Sequence, residues 1–75
     1  MLTPSTRKSL IFIPHLHNLR ILVPVSQSDL AKDLGLSRQT IAAIESGAKQ
    51  PSLLTAYRIA QYFRVPIEHL FTFKA

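Results

Sequence analysis

The chain has 75 residues, no cysteine, and nine Lys and Arg against four Asp and Glu, for a formal charge of +5. That length allows one small domain whose modest core is marginal without a partner subunit, and the absence of thiols excludes a disulfide framework and a thiolate metal site and favours a reducing interior. The basic surplus suits a polyanionic partner, while an apolar share of 47% is high for so short a chain and points toward self-association.

Residues 1–9 (MLTPSTRKS) carry no apolar periodicity and read as a loosely attached, flexible arm, which leaves 10–75 as a single domain. Leu10 to Ile13 is a β-branched and aromatic run that predicts a strand, stopped by Pro14, a residue also well placed to open a helix. Arg7 and Lys8 ahead of that run invite a signal-peptide reading. Pro14, His15, His17 and Arg20 interrupt it, however, and no small-residue cleavage site follows. No run reaches the length of a membrane span, so a cytoplasmic protein without a membrane partner is expected. Leu16, Leu19, Arg20 and Val23 then form a helical stripe ending at Pro24, and Ile21 and Leu22 leave little of this first helix polar.

The stretch from Ser26 to Ser46 is the most informative. Ser26 followed by Asp29 reads as an N-cap with a carboxylate reaching back, just ahead of Leu30, Ala31 and Leu34. Gly35 supplies the left-handed conformation that ends a helix, and Ser37 caps a second helix with Ile41 and Ile44 on its inner side. Two short helices joined by so tight a turn must cross steeply, the helix-turn-helix arrangement, placed at 27–46. The outer face of the second helix offers Arg38, Gln39 and Thr40, then Ala42 and Ala43: donor-rich tips on a slim body, suited to a DNA major groove.

Residues 47–51 (GAKQP) form a loop by their punctuation. Ser52 caps a further helix with Leu53, Ala56, Ile59, Ala60 and Phe63 inward, ended by Arg64, and on it Tyr57 and Tyr62 read as packing residues. A last short helix begins near Pro66 and carries Ile67, Leu70 and Phe71. The alternation of Phe71 and Phe73 about Thr72 predicts a terminal strand, expected to pair antiparallel with the run at 10–13.

These residues resemble the Cro and phage-repressor type of helix-turn-helix regulator, the XRE-like family, over roughly Leu16 to Phe71. The likeness is carried by Leu16, Leu19-Arg20, Ser26-Gln27, Leu30-Ala31, Leu34-Gly35, Ser37 to Ile41, Ile44-Glu45, Gly47, Pro51, Ile59-Ala60 and Leu70-Phe71. The resemblance implies a mainly α domain of five helices, the second and third forming the DNA-binding pair, here with a possible small two-stranded sheet from the chain ends. It implies that Gln27 places its amide on phosphate, that Arg38, Gln39, Thr40 and Ala43 sit where bases are read with Ser37 beside them in the DNA-binding set, and that Ser46, Lys49 and Gln50 lie in a phosphate-gripping loop. It also implies an internal salt bridge between Arg20 and Glu45. Two departures concern packing: Pro24 stands where glycine is common, and Arg64 where glycine or asparagine usually ends the fourth helix.

Gln39 is the residue best suited to base readout, since one amide both donates to and accepts from adenine. Arg38 suits guanine or phosphate, and Gln27 suits phosphate or an inward bond to the third helix. A metal site among His15, His17 and His69 is not expected, because His15 and His17 do not share a helix face and the acids are scattered. No nucleophile–base or paired-carboxylate constellation is visible, so neither catalysis nor a cofactor is expected, and no small-molecule effector is evident. The leading expectation is a homodimeric repressor of double-stranded DNA, joined through Ile67, Leu70, Phe71 and Phe73. The alternative is a protein-interaction module, antitoxin-like, that binds through its apolar first helix and C-terminal tail.

Overall fold

The computed structural model describes the backbone over residues 11–74 and side chains over 13–72. The arm expected at 1–9, and Leu10 of the first strand, lie outside the described residues. Strand β1 (Ile11–Pro14) leads into helices α1 (Leu16–Leu22), α2 (Gln27–Leu34), α3 (Arg38–Ser46) and α4 (Leu53–Phe63), then a 3₁₀ turn (Ile67–His69) and strand β2 (Phe71–Lys74).

Three helices start on the same device. Ser26, Ser37 and Ser52 sit in extended backbone, and each hydroxyl accepts from an N–H of the first turn, that of Asp29 (3.0 Å), Thr40 (3.0 Å) and Thr55 (3.1 Å). Asp29 itself stays exposed. The helix ends repeat a second device with different residues. After α2, Gly35 takes φ 69°, its N–H bonds Lys32 O at 3.2 Å, and Leu36 N–H bonds Ala31 O at 2.8 Å. After α4, Arg64 takes φ 57° and the equivalent bonds to Gln61 O and Ala60 O are both 3.1 Å. After α1 only the outer bond forms, Val25 N–H to Arg20 O at 3.1 Å, because Pro24 has no N–H to give.

The core is one cluster of Leu16, Leu30, Ala31, Leu34, Ile41, Ile44, Ala56, Ile59, Ala60, Phe63 and Leu70. The two strands pair antiparallel, with Phe12 opposite Phe73 and Pro14 opposite Phe71, and β1 lies against α3. Pro14 therefore completes β1 instead of opening α1. His15 takes the N-cap position, and its N–H donates to Leu70 O at 2.7 Å, tying the start of α1 to the end of the 3₁₀ turn.

Four sequence expectations need correction. The described residues form four α-helices and a 3₁₀ turn, not five helices. Pro66 and β2 leave space for a single turn, closed by Leu70 N–H on Ile67 O at 3.0 Å, and Phe71 already belongs to the ribbon. Val23 lies past the end of α1 and is exposed, off the inward stripe. Leu53, placed inward by its spacing, is 80% exposed. Tyr57 is exposed and accepts a bond from Gln61 Nε2, whereas Tyr62 packs edge-on against Phe63 with ring centroids 5.1 Å apart.

Candidate nucleic-acid interface

The turn at Gly35 delivers α3 with its apolar stripe, Ile41 and Ile44, fully inside. Its first turn faces outward, with Arg38 and Gln39 exposed. Thr40 is half-buried beside the Ser37 cap, the two hydroxyls 2.9 Å apart, and Ala43 is half-buried one turn further on. At the other end of α3 the Ser46 hydroxyl donates to Ala43 O at 3.1 Å and accepts from Ala48 N at 3.3 Å, so it is engaged in shaping its own turn. Gly47 at φ 83° lets the chain leave the helix, and the Lys49 and Gln50 side chains project into solvent from the loop that follows. Arg38, Gln39, Lys49 and Gln50 thus carry exposed side-chain donors on α3 and its loop.

What aims α3 is a polar hub on its inner flank. The Glu45 carboxylate takes Arg20 Nε on Oε2 at 2.6 Å and Arg20 Nη2 on Oε1 at 3.3 Å, while Arg20 Nη1 donates to Val25 O at 3.2 Å. One guanidinium therefore clamps α1, α3 and the segment before α2 together. Both side chains are largely removed from water, at 16% and 7% exposure, and a planar five-donor fork is the group that satisfies such a geometry. Gln27, the first residue of α2, adds Nε2 to Glu45 Oε1 at 3.0 Å and receives Arg38 Nη1 on its own Oε1 at 3.2 Å. Burial pushes the Glu45 carboxyl up, but hydrogen bonds from Arg20 and Gln27 and the charges of Arg20 and His17 outweigh it and hold it below its ordinary value of 4.5. Next to this hub a hollow of ≈ 390 Å³ opens between His17, Arg20, Gln27, Ala42, Glu45 and Ser46.

His17 was missed as a member of this group. Its Nδ1 lies 3.5 Å from Glu45 Oε1 and 3.2 Å from Arg20 Nη2. The signal was present, because residues three apart share a helix face and His17 precedes Arg20 by that interval. His15 instead bonds Thr72 Oγ1 across to β2 at 2.5 Å, and no group of three His, Asp or Glu among the described residues is placed to hold a metal ion.

The residues expected at a subunit contact divide. Leu70 is 0% exposed within one subunit and belongs to the core, so it offers a partner no surface. Ile67 and Phe71 are half-buried and line an apolar cleft of ≈ 380 Å³ together with Gln50, Pro51, Leu53, Ala56 and Glu68. The side chain of Phe73 lies outside the described residues. No helix of the described residues is long and apolar enough to cross a membrane.

Comparison with known proteins agrees with this geometry. The helix-turn-helix family model matches residues 16–70, from the first core residue of α1 to the last before β2. An uncharacterised helix-turn-helix-type transcriptional regulator from Methanocaldococcus jannaschii is 52% identical over 59 residues, 79% of this chain and 80% of that one. A second such regulator, from Bacillus subtilis, is 43% identical over 71% of this chain and 80% of its own. A cryptic-phage transcriptional repressor from Vibrio cholerae is 30% identical over 80% of this chain and 54% of its own length. A family match over most of the chain, on the residues that build the α2–α3 pair and its clamp, makes this chain a member of the XRE-like helix-turn-helix family of transcriptional regulators.

Proposed function

We propose that the protein is a homodimeric repressor that binds a two-fold DNA operator in the cytoplasm by inserting α3 into the major groove. The observation that carries this reading is the exposed, donor-rich first turn of a helix locked to the body by the Arg20–Glu45 clamp. A base-reading side chain has to start from a fixed backbone, and Arg38 and Gln39 do. Gln39 reads adenine, Arg38 reads guanine, Thr40 and Ala43 border the groove, and Lys49 and Gln50 hold phosphate while Ser46 shapes the turn that presents them. The repressor role is supported by the likeness to the cryptic-phage transcriptional repressor of Vibrio cholerae. Dimerisation through Ile67, Phe71 and Phe73 sets two α3 helices about 34 Å apart on one DNA face, as a two-fold operator demands.

The test is selection of bound duplexes from a random pool, followed by titration of the winner against salt. Gln39→Ala is expected to cost about 1–3 kcal/mol on the selected duplex and to relax one base position. Lys49→Ala is expected to weaken binding to every duplex and to flatten the salt slope by about one unit. Equal losses on selected and random duplexes for Gln39→Ala would overturn its assignment to base reading.

A second reading is a protein-interaction module of antitoxin type, and the observation in its favour is the exposed run of Ile21 and Leu22 on α1 and Val23 just past its end. The salt titration separates the two, because phosphate contacts force affinity down steeply as salt rises and an apolar protein contact does not.

A further inference from the structure

We propose that His17 is a proton-controlled contact for the DNA backbone, so that affinity for duplex rises as pH falls from about 8 to about 5.5; this rests on the reading of α3 as the helix that enters the groove. One ring nitrogen faces two incompatible partners. His17 Nδ1 lies 3.2 Å from Arg20 Nη2, which only donates, and 3.5 Å from Glu45 Oε1, which only accepts. The first contact needs Nδ1 bare and the second needs it protonated. A ring bare at Nδ1 takes Arg20 Nη2, whereas an imidazolium, with a proton on both nitrogens, is left the Glu45 contact alone. Glu45 Oε1 already accepts Gln27 Nε2 at 3.0 Å and Arg20 Nη2 at 3.3 Å, so the longer bond is the one a protonated His17 displaces. The clamp survives the exchange, because Arg20 Nε stays on Glu45 Oε2 at 2.6 Å and Nη1 on Val25 O at 3.2 Å.

The place of this exchange lets DNA read it. His17 lines the hollow beside the hub, and so do Ala42 and Ser46 of α3. Those two follow Arg38 at intervals of four, so the hollow opens along the stripe of α3 that presents Arg38 at its tip. A helix seated in the major groove has the phosphate backbone along its flank. The charged groups facing His17 are Arg20 from α1 and Glu45 from α3, while α2 contributes the neutral amide of Gln27. With a neutral ring the guanidinium and the carboxylate cancel, and the hollow offers phosphate no net charge. With an imidazolium it carries one net positive charge, and Arg20 Nη2, released from Oε1, becomes a second donor. The Glu45 carboxyl, held below its ordinary value of 4.5, stays ionised near neutrality, so His17 is the member of the hub whose charge changes there. Its side chain is 56% exposed, open to solvent protons and to a phosphate oxygen alike.

The experiment titrates the full chain with the selected duplex and with a random one, at both ends of that pH range and at several salt concentrations. The native chain is expected to bind both duplexes about five- to tenfold tighter at the lower pH, with a salt slope steeper there by about one unit. His17→Gln is expected to match the native chain at the higher pH and to lose both changes. His17→Lys holds its charge throughout, and is expected to bind at the higher pH as tightly as the native chain does at the lower. His15→Gln and His69→Gln lie outside the hollow and are expected to keep the native pH dependence. Calorimetry in two buffers of different ionisation enthalpy is expected to show proton uptake on binding by the native chain and none by His17→Gln. The proposal is overturned if His17→Gln retains the pH dependence, or if native affinity does not change with pH. Absence of duplex binding at every pH defeats the DNA-binding function and this contact with it, whereas binding that ignores pH defeats the role of His17 alone.

Discussion

The α2–α3 unit and the helices on either side of it treat their apolar residues differently. In α2 and α3 every large apolar side chain is inside: Leu30, Leu34, Ile41 and Ile44 are all buried, and the outer faces are polar. The flanking helices leave apolar surface in water, with Leu22 of α1 at 78% exposure and Leu53 of α4 at 80%, accompanied by Ile21, Leu54 and Tyr57. Helices α3 and α4, both opened by a serine cap, thus meet opposite fates. The α2–α3 unit is completed within one subunit, so its outer face is left for a ligand that prefers donors and charge. The flanks carry more apolar surface than one small core can cover, and that surplus is what a second subunit would bury.

The sharpest way to probe this contrast is to delete apolar atoms on each side of it. Ile41→Ala opens a cavity in the fully buried centre of α3 and is expected to cost about 2–5 kcal/mol, enough to unfold a domain of this size at physiological temperature. Leu22→Ser is expected to change stability by less than about 0.5 kcal/mol, because the side chain already faces water. Thermal melts of the two variants give the answer. A comparable loss from Leu22→Ser would mean that α1 is covered in solution at low concentration, and the contrast would vanish.

Glu45 tests the polar counterpart of that core. Glu45→Ala leaves the Arg20 guanidinium without its carboxylate in a site only 16% exposed, and is expected to cost about 2–3 kcal/mol. The pH dependence gives an independent check. Glu45 is held below its ordinary 4.5 in the folded chain, so its contribution to stability is fully present above that value and fades as pH falls through the lower folded value. Glu45→Gln removes this contribution and should flatten the acid limb of the stability profile. An unchanged acid limb would show that the Arg20–Glu45 pair does not stabilise the fold.

On the flanks, the expected effect is on assembly. Leu53→Asp puts a charge at the mouth of the apolar cleft shared with Ile67 and Phe71. It is expected to leave the subunit folded and to lower operator affinity by about ten- to a hundredfold through loss of the dimer. Sedimentation of the native chain and the variant at micromolar concentration decides the point. A native chain that runs as a monomer would remove the second subunit from the comparison.

What was legible in the sequence follows the same division. Ser26, Gly35, Ser37 and Ser52 act through bonds to their own neighbours, so the helices they start or end could be placed from local pattern. The antiparallel ribbon was legible because both runs are β-favouring and too short to persist alone. Leu70 was misplaced because an apolar residue near a helix end looks the same whether it faces its own core or a partner's, and only the fold closes over it. Spacing placed Leu53 inward, yet its side chain is left 80% exposed along the cleft it lines with Ile67 and Phe71. The fifth helix was lost to a count that a family likeness does not make: Pro66 and Phe71 are too close for an α-helix between a fixed start and a strand. The His17–Glu45–Gln27 grouping joins three helices and has no local signature beyond the His17–Arg20 spacing.

The smallest effect isolates backbone geometry from packing. The ends of α2 and α4 carry the same pair of closing bonds, on Gly35 in one and Arg64 in the other. Glycine adopts positive φ freely, whereas a side chain in that region costs on the order of 1 kcal/mol. Nothing lies within 4 Å of a Cβ added at Gly35, so Gly35→Ala measures conformation alone and is expected to lower stability by about 1 kcal/mol. Arg64→Gly reverses the situation at α4: the Arg64 side chain is exposed, its backbone sits at φ 57°, and relieving it should raise stability by about 0.5–1 kcal/mol. For a domain of this size that corresponds to a rise in Tm of roughly 2–8 °C. DNA affinity should not follow, since Arg64 lies at the far end of α4 from the 47–51 loop. If Arg64→Gly lowers Tm instead, the arginine side chain makes a contact in solution that outweighs its backbone strain, and the end of α4 belongs with the well-completed part of the molecule after all.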